Sequence, residues 1–204
     1  MKFLFPNGKI HAKYLNFLKW SSFSNLIISI ESVLASHSML NSFGVNDNSN
    51  LSLNYISKDI VGQMGGLLIM NKISKKIDDE PSKFLKYSMI FQQTATIAEC
   101  MTPLFPSSSF IFIASSSNIV KSITFMNFGA INAKVINKLS LDKDNIAEIY
   151  TKMTIINTIS TSIGMSIGLG ITILFPCHYT RLLFLPFLGM LRYYSFYRSI
   201  YGIF

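Results

Sequence analysis

The stretch from Met153 to Phe175 contains no charged residue, and it constrains the fold more than any other feature. A bilayer core about 30 Å thick is crossed by about 20 apolar residues in a helix, and this stretch is long enough to do so. Five further apolar blocks alternate with polar loops. Phe23 to Leu40 encloses Glu31 and His37. Tyr55 to Met70 has Lys58 and Asp59 near its start, and Tyr87 to Met101 has Glu99 near its end. Phe110 to Ala133 carries Lys121 at mid-length, and Leu182 to Leu191 lies between Arg181 and Arg192. Half of the 204 residues are hydrophobic and 14% are charged, against about 25% in an average soluble domain. Mean hydropathy is +0.38. These values exclude a disordered chain, a collagen-like chain and a disulfide scaffold, and they argue against an ordinary soluble enzyme. The expected architecture is an all-α polytopic helical membrane bundle of about five or six apolar helices, forming one domain over residues 1–204. The alternative is a soluble helical bundle with one deeply buried helix.

Loop charge gives a second line of argument. Lys2, Lys9, Lys13 and Lys19 precede the first block, and the loop from Asn41 to Asn54 has no Lys or Arg. Asn71 to Lys86 holds Lys72, Lys75, Lys76, Lys83 and Lys86. The turn Pro103 to Ser108 is uncharged, and Lys134, Lys138, Lys143 and Lys152 follow the fourth block. If the chain crosses at each block, all these basic loops fall on one side, along with Arg192 and Arg198, as the positive-inside rule requires. Arg181 is the exception. The expected partner is the lipid bilayer. Nucleic acid is not expected from the net charge of +8, because the lysines form no stripe with interleaved aromatics. Met1 to Trp20 does not read as a secretory signal, since Lys9, Lys13 and Lys19 interrupt it.

Local signals mark the element ends. Asp78-Asp79-Glu80-Pro81 reads as a helix start, with acids near the positive dipole end and Pro81 in the first turn. Pro103 and Pro106 bracket a turn, while Gly44 and the run Asn46 to Asn54 read as a loop. Asn50-Leu51-Ser52 is a glycosylation sequon in that proposed outer loop. Cys100 and Cys177 read as packed thiols. His11, His37 and His178 have no partners at metal-ligand spacing, so neither metal nor cofactor is expected. No nucleophile elbow is visible.

Lys58-Asp59-Ile60-Val61-Gly62-Gln63-Met64-Gly65-Gly66 is the most informative motif. It is not a P-loop, because Gly-Lys-Ser/Thr is missing, nor a dinucleotide fingerprint, because the glycine spacing is wrong. Gly62 and Gly66 share one helix face and admit a second backbone, and Gln63 can bond across helices. Lys58 and Asp59, being adjacent, are expected to point apart and to need other partners. Gly164 and Gly168, with Ser160, form another close-packing face. Arg192 to Arg198, with Tyr193, Tyr194, Tyr197 and Tyr201, reads as an interfacial anchor. Lys58, Asp59, Glu99, Asn118 and Lys121 lie within or at the ends of apolar helices, where ionisable groups are costly. Two readings stay open. They line a polar cavity in which Lys58 and Lys121 attract an anionic group, or they pair among themselves, as Glu99 with Lys121, and settle the bundle.

The same motif resembles that of the Root UVB Sensitive family, in which lysine-aspartate-glycine is followed, after one residue, by glycine-glutamine and, after another, by glycine-glycine. Lys58, Asp59, Gly62, Gln63, Gly65 and Gly66 match, and Ile60 replaces a glycine. The likeness continues in register through Asp78 and Pro81, Glu99, Thr102, Pro103 and Pro106, then Asn118 and Lys121, and Gly129, Asn145 and Lys152. It extends more loosely to Tyr14, Trp20 and Gly44, covering roughly residues 12–170 and leaving 171–204 as an apolar and basic-aromatic end. The chain departs from the family pattern at Met89, Gln92 and Gln93, at Asn132, and at Met153, Ile155 and Ile156, so an arginine and several acids of that pattern are missing. The resemblance implies an integral or membrane-associated eukaryotic protein and leaves its organelle open, a plastid or another endomembrane being candidates, since some plant members are plastid proteins; plant members of the family are linked to ultraviolet-B responses, seedling development and auxin transport. It implies no particular reaction. Three functions follow as expectations. The first is non-enzymatic binding or movement of a small solute or lipid through a polar intramembrane cavity. The second is a membrane-anchored interaction protein, forming a homo- or hetero-oligomer with a related membrane protein. The third is an enzyme acting on a lipid or cofactor.

Overall fold

In the computed structural model, residues 6, 10–42, 48–141, 145–201 and 203 are described. They form six α-helices: α1 (Tyr14–Asn41), α2 (Asn48–Asp79), α3 (Pro81–Cys100), α4 (Phe110–Leu139), α5 (Ile146–Leu174) and α6 (His178–Ile200). Two short 3-10 turns, Thr102–Leu104 and Ser107–Ser109, link α3 to α4. Pro103 and Pro106 sit in this connection, as their fixed φ and missing N–H predict. Among the described residues the only β pairing is an isolated bridge between Ile10 and Ser140. The chain is therefore all-helical.

Two helical stretches, Ser107–Leu139 and Ile146–Leu174, are long and apolar enough to cross a membrane. The remaining helices do not reach that hydropathy, because serines and ionisable groups such as Glu31, Lys58 and Asp59 dilute them. The expectation of five or six span-grade helices is thus met in helix number but not in apolar character.

Successive helices run in opposite directions. At one end, His11 donates its backbone N–H to the Leu139 carbonyl at 2.9 Å, and Asn16 Nδ2 donates to Arg198 O at 3.0 Å. Lys134 at the end of α4 meets Asp78 at the end of α2, with Nζ 2.7 Å from Oδ1. A core of Tyr14, Phe17, Ile77, Leu85, Val135, Leu139 and Ile149 closes that end. Met39, Phe110 and Ala114, with Tyr55 against them, close the other. Between them, Ile27, Ile30, Leu34, Cys100, Leu185 and Leu188 bind α1 to α3 and α6. α1 packs on α5, α6 and α3, and α4 packs on α2 and α3. α4 and α5 touch little.

The glycines decide two of these packings. A Cβ at Gly164 would collide with the Leu26 carbonyl, and one at Gly168 would stand 2.8 Å from Val33 Cβ, so α5 lies directly on the α1 backbone. A Cβ at Gly66 would stand 2.5 Å from Ser122 Oγ, and one at Gly65 2.9 Å from Ile119 Cγ1, both on α4. The close approach needs residues without side chains at these positions.

Two boundary readings change. Helix α2 begins at Asn48, so most of the Asn46 to Asn54 run is helical; Gly44, Lys2, Lys9 and Lys143 lie outside the described residues. Pro81 opens α3 with Glu80 at its N-cap, but Asp78 and Asp79 complete the last turn of α2, and the first turn of α3 holds no acid. α2 and α3 are separated by a one-residue break, so those acids end one helix instead of starting the next.

Candidate functional site

Most ionisable residues inside the bundle are joined in pairs. Lys58 Nζ lies 2.6 Å from Asp59 Oδ1 and 4.9 Å above the Tyr55 ring. The two residues were expected to point apart, but the four-carbon lysine stem curls back and brings its ammonium onto its neighbour. Asn118 of α4 completes the group, donating from Nδ2 to Asp59 Oδ1 at 2.9 Å and to the Lys58 carbonyl at 3.1 Å. Gly62 explains how Asn118 gets there. A Cβ at Gly62 would sit 2.5 Å from Asn118 Nδ2, so the glycine clears space for this amide. Gln63, expected to bond across helices, is exposed on the far face of α2.

Lys121 of α4 contacts Glu99 of α3, and the Glu99 side chain is almost fully buried. Of the two readings of these residues, mutual pairing is what the geometry displays for Lys58 with Asp59 and for Lys121 with Glu99. A third pair went unread in the sequence. Arg192 of α6 donates from Nη1 to Glu31 Oε2 at 2.7 Å and from Nη2 to the Met89 carbonyl at 3.0 Å, with both side chains 2% exposed. Arg192 is therefore not part of an interfacial anchor. Nearby, Trp20 gathers an aromatic and basic cluster, with Tyr194 edge-on at 5.5 Å and Lys19 and Arg198 near its ring. The available signal was Glu31, the one acid in the first apolar block, which needs a cation inside the bundle.

A wide opening lies elsewhere. Because α4 and α5 barely meet, a crevice of about 810 Å³ opens between them and reaches α1, α3 and α6. Asn25, Gln92, Asn132, Asn137 and Tyr150 give its wall polar groups, Phe125 and Phe128 give it rings, and no charged side chain lines it. Gly129 faces open space, so its missing side chain adds to the width. Amides offer both donors and acceptors without charge, so this wall suits a neutral or amphiphilic guest. Lys58, Asp59, Glu99, Asn118 and Lys121 do not reach it. Sequence reading flagged Gln92 and Asn132 only as departures from a family pattern; their shared position on the wall needs the fold.

The surface is apolar over much of its extent. Leu68, Phe112, Phe125, Ile173 and Leu183 are each at least 70% exposed, whereas monomeric soluble proteins rarely show large contiguous apolar patches. Among the described residues, the exposed lysines gather at the end closed by Tyr14, Ile77 and Leu139: Lys19, Lys72, Lys75, Lys76, Lys83, Lys86 and Lys138, with the half-buried Lys13 and Lys134 beside them. No group of three or more His, Cys, Asp or Glu residues fit for a metal ion occurs among the described residues.

Fold and site together define a class: an up-and-down helical bundle with three of its internal cations paired to carboxylates and its outer faces largely apolar. The chain belongs to the family described as "Vitamin B6 photo-protection and homoeostasis domain", which matches residues 1–203. It is similar to protein root UVB sensitive 5 of Arabidopsis thaliana, with 25% identity over 181 residues, 82% of this chain and 35% of the relative. Protein root UVB sensitive 3 of the same plant is 25% identical over 81% of this chain and 38% of its own length. RUS family member 1 of Dictyostelium discoideum is 24% identical over 78% and 32%. The resemblance drawn from the Lys58 to Gly66 motif thus names the right family. The chain spans about a third of the length of these relatives. No solved structure matches it.

Proposed function

We propose that this chain is a multi-pass membrane protein that binds a small solute or lipid in the crevice between α4 and α5, without chemistry of its own. The observation that carries the reading is the combination of outward apolar faces with exposed cations gathered at one end. α5 supports it most directly, because only 11% of its most apolar window is buried in the bundle. A core helix of a soluble protein would be mostly covered. Helices such as α1 and α2, too polar to insert alone, are tolerated in a bundle where their buried ions, Glu31 and Lys58, are neutralised by a partner. The crevice lies between the two most apolar helices, towards the end where α4 stops and α5 begins, so a guest with an apolar body and a polar head suits it.

Alkaline carbonate extraction of the tagged chain tests the topology. Retention in the membrane pellet is the expected result. Release would refute the spans and assign the apolar faces to a protein partner, which is the interaction reading. Crosslinking by a photoreactive phosphatidylcholine analogue tests the guest. Labelling of α4 and α5 peptides is expected, with loss in Gly129→Phe, which fills the crevice. The family description adds a second candidate. A vitamin B6 ring with its hydroxyl groups fits an amide-lined and aromatic-lined space of this size, and equilibrium dialysis of the detergent-solubilised protein against pyridoxine tests that reading.

A further inference from the structure

Among the described residues, Lys58, Lys121 and Arg192 are buried or half-buried inside the bundle, and each touches a carboxylate. Arg181 breaks the pattern. It is 3% exposed, yet no acid pairs with it among the described residues. Its Nη1 lies 2.5 Å from His37 Nδ1, and its Nη2 donates to the Pro176 carbonyl at 3.2 Å. Its Nε is buried with no acceptor. His178, three residues earlier on the same face of α6, has both ring nitrogens buried and in no well-formed hydrogen bond, with the Cys100 backbone as a polar neighbour.

A buried cation is costly unless a counter-charge and hydrogen bonds compensate it. The C-terminal ends of α1 and α5 lie close by and lend partial negative charge. That effect fades within a turn and supplies no acceptor to Nε. The neutral partners present therefore leave both the charge and the Nε–H unsatisfied, and the His178 ring, with only the Cys100 backbone beside it, adds a further unsatisfied group. The N-terminus of α6 adds its own positive end to the same spot. We propose that Arg181 and His178, backed by His37, bind one small anion, a halide or the oxyanion edge of a phosphate, with the guanidinium Nε–H and one imidazole N–H as donors. Cys177 and Tyr179 beside the cluster are exposed, so the anion arrives from the aqueous face. The site is at the end opposite the exposed lysines, and it is independent of the α4–α5 crevice.

The test is thermal unfolding of the full chain in a non-ionic detergent, in sodium chloride, in sodium phosphate and in a bulky organic sulfonate at equal ionic strength. Chloride or phosphate should raise the Tm by about 5 °C or more at saturation relative to the sulfonate. Arg181→Gln should abolish the difference. His178→Ala, which keeps the guanidinium, should weaken it at least tenfold in half-saturating concentration and guards against misfolding of the first variant. A shift seen only with phosphatidic acid in the micelle, and lost in both variants, would also support the site and identify the phosphate as a lipid headgroup. Equal Tm in every condition would overturn the proposal. So would an anion effect that survives in both variants, because it would then belong to the lysines at the other end.

Discussion

The Arg192–Glu31 pair links α6 to α1 and, through the Met89 carbonyl, to α3, so its removal should loosen the bundle centre. Arg192→Met removes a charged hydrogen bond of 2.7 Å and a second donor at 3.0 Å. It also leaves Glu31 buried without its cation, with only the Gln93 amide beside it. Breaking one side of a buried pair costs about 3–5 kcal/mol. At roughly 2–4 °C per kcal/mol for a chain of this size, the Tm should fall by about 6–20 °C. Replacing both partners should behave differently. Glu31→Leu with Arg192→Met leaves no uncompensated charge, and such replacements are neutral or stabilising by about 1–4 kcal/mol. The double variant should therefore recover most of the loss, giving a strong positive coupling in the cycle. A thiol-reactive fluorescent dye reads the transition on a Cys177→Ser background, because Cys100 is buried and reacts only as the helices part. A single variant within 2 °C of wild type, or a double variant worse than the sum of the singles, would refute the reasoning from buried charge (a threshold of about 0.5–1 kcal/mol).

Two more outcomes follow from the packing. Gly164→Leu should separate α5 from α1 and lower stability by about 1–3 kcal/mol or more, whereas Gly170→Ala, whose added methyl meets nothing within 4 Å, should be neutral or slightly stabilising; paired thermal melts check the contrast. Cys100 is packed as expected, but Cys177, also expected to be packed, is exposed in the break before α6, so maleimide should label Cys177 and spare Cys100 in the native protein. The backbone N–H of Thr180 holds the Cys177 thiol below its ordinary range, so its thiolate persists to lower pH and its labelling rate should fall off at a lower pH than that of a free cysteine.

Much of the fold was legible because helix patterning is local. Hydropathy over about 20 residues marks the helices, and prolines mark their ends at Pro81 and through Pro103 and Pro106. The glycine spacings at Gly62/Gly66 and Gly164/Gly168 mark close contacts. The lysines alternate between loops along the chain, so an up-and-down bundle collects them at one end. The boundary errors share a cause. Asn48 to Asn54 and Asp78 and Asp79 are residue types favoured in loops and helix starts, yet here they continue or complete a helix, because packing of α2 on α4 outweighs weak intrinsic preference.

What the sequence determined by itself was the helical class, the family, the sidedness of the charge and the presence of ions that had to be compensated. Only the tertiary structure decided how they are compensated. Lys58 turns to its own neighbour, Lys121 reaches across to Glu99, Arg192 meets a glutamate 161 residues away, and Arg181 has no acid among the described residues. Hydropathy and helical period report which face of each helix is apolar, but not which helix it meets. Choosing the neighbour depends on glycines, side-chain lengths and residues distant in the chain all fitting at once. The same global fit holds α4 away from α5 and leaves a crevice whose amides lie far apart in the sequence.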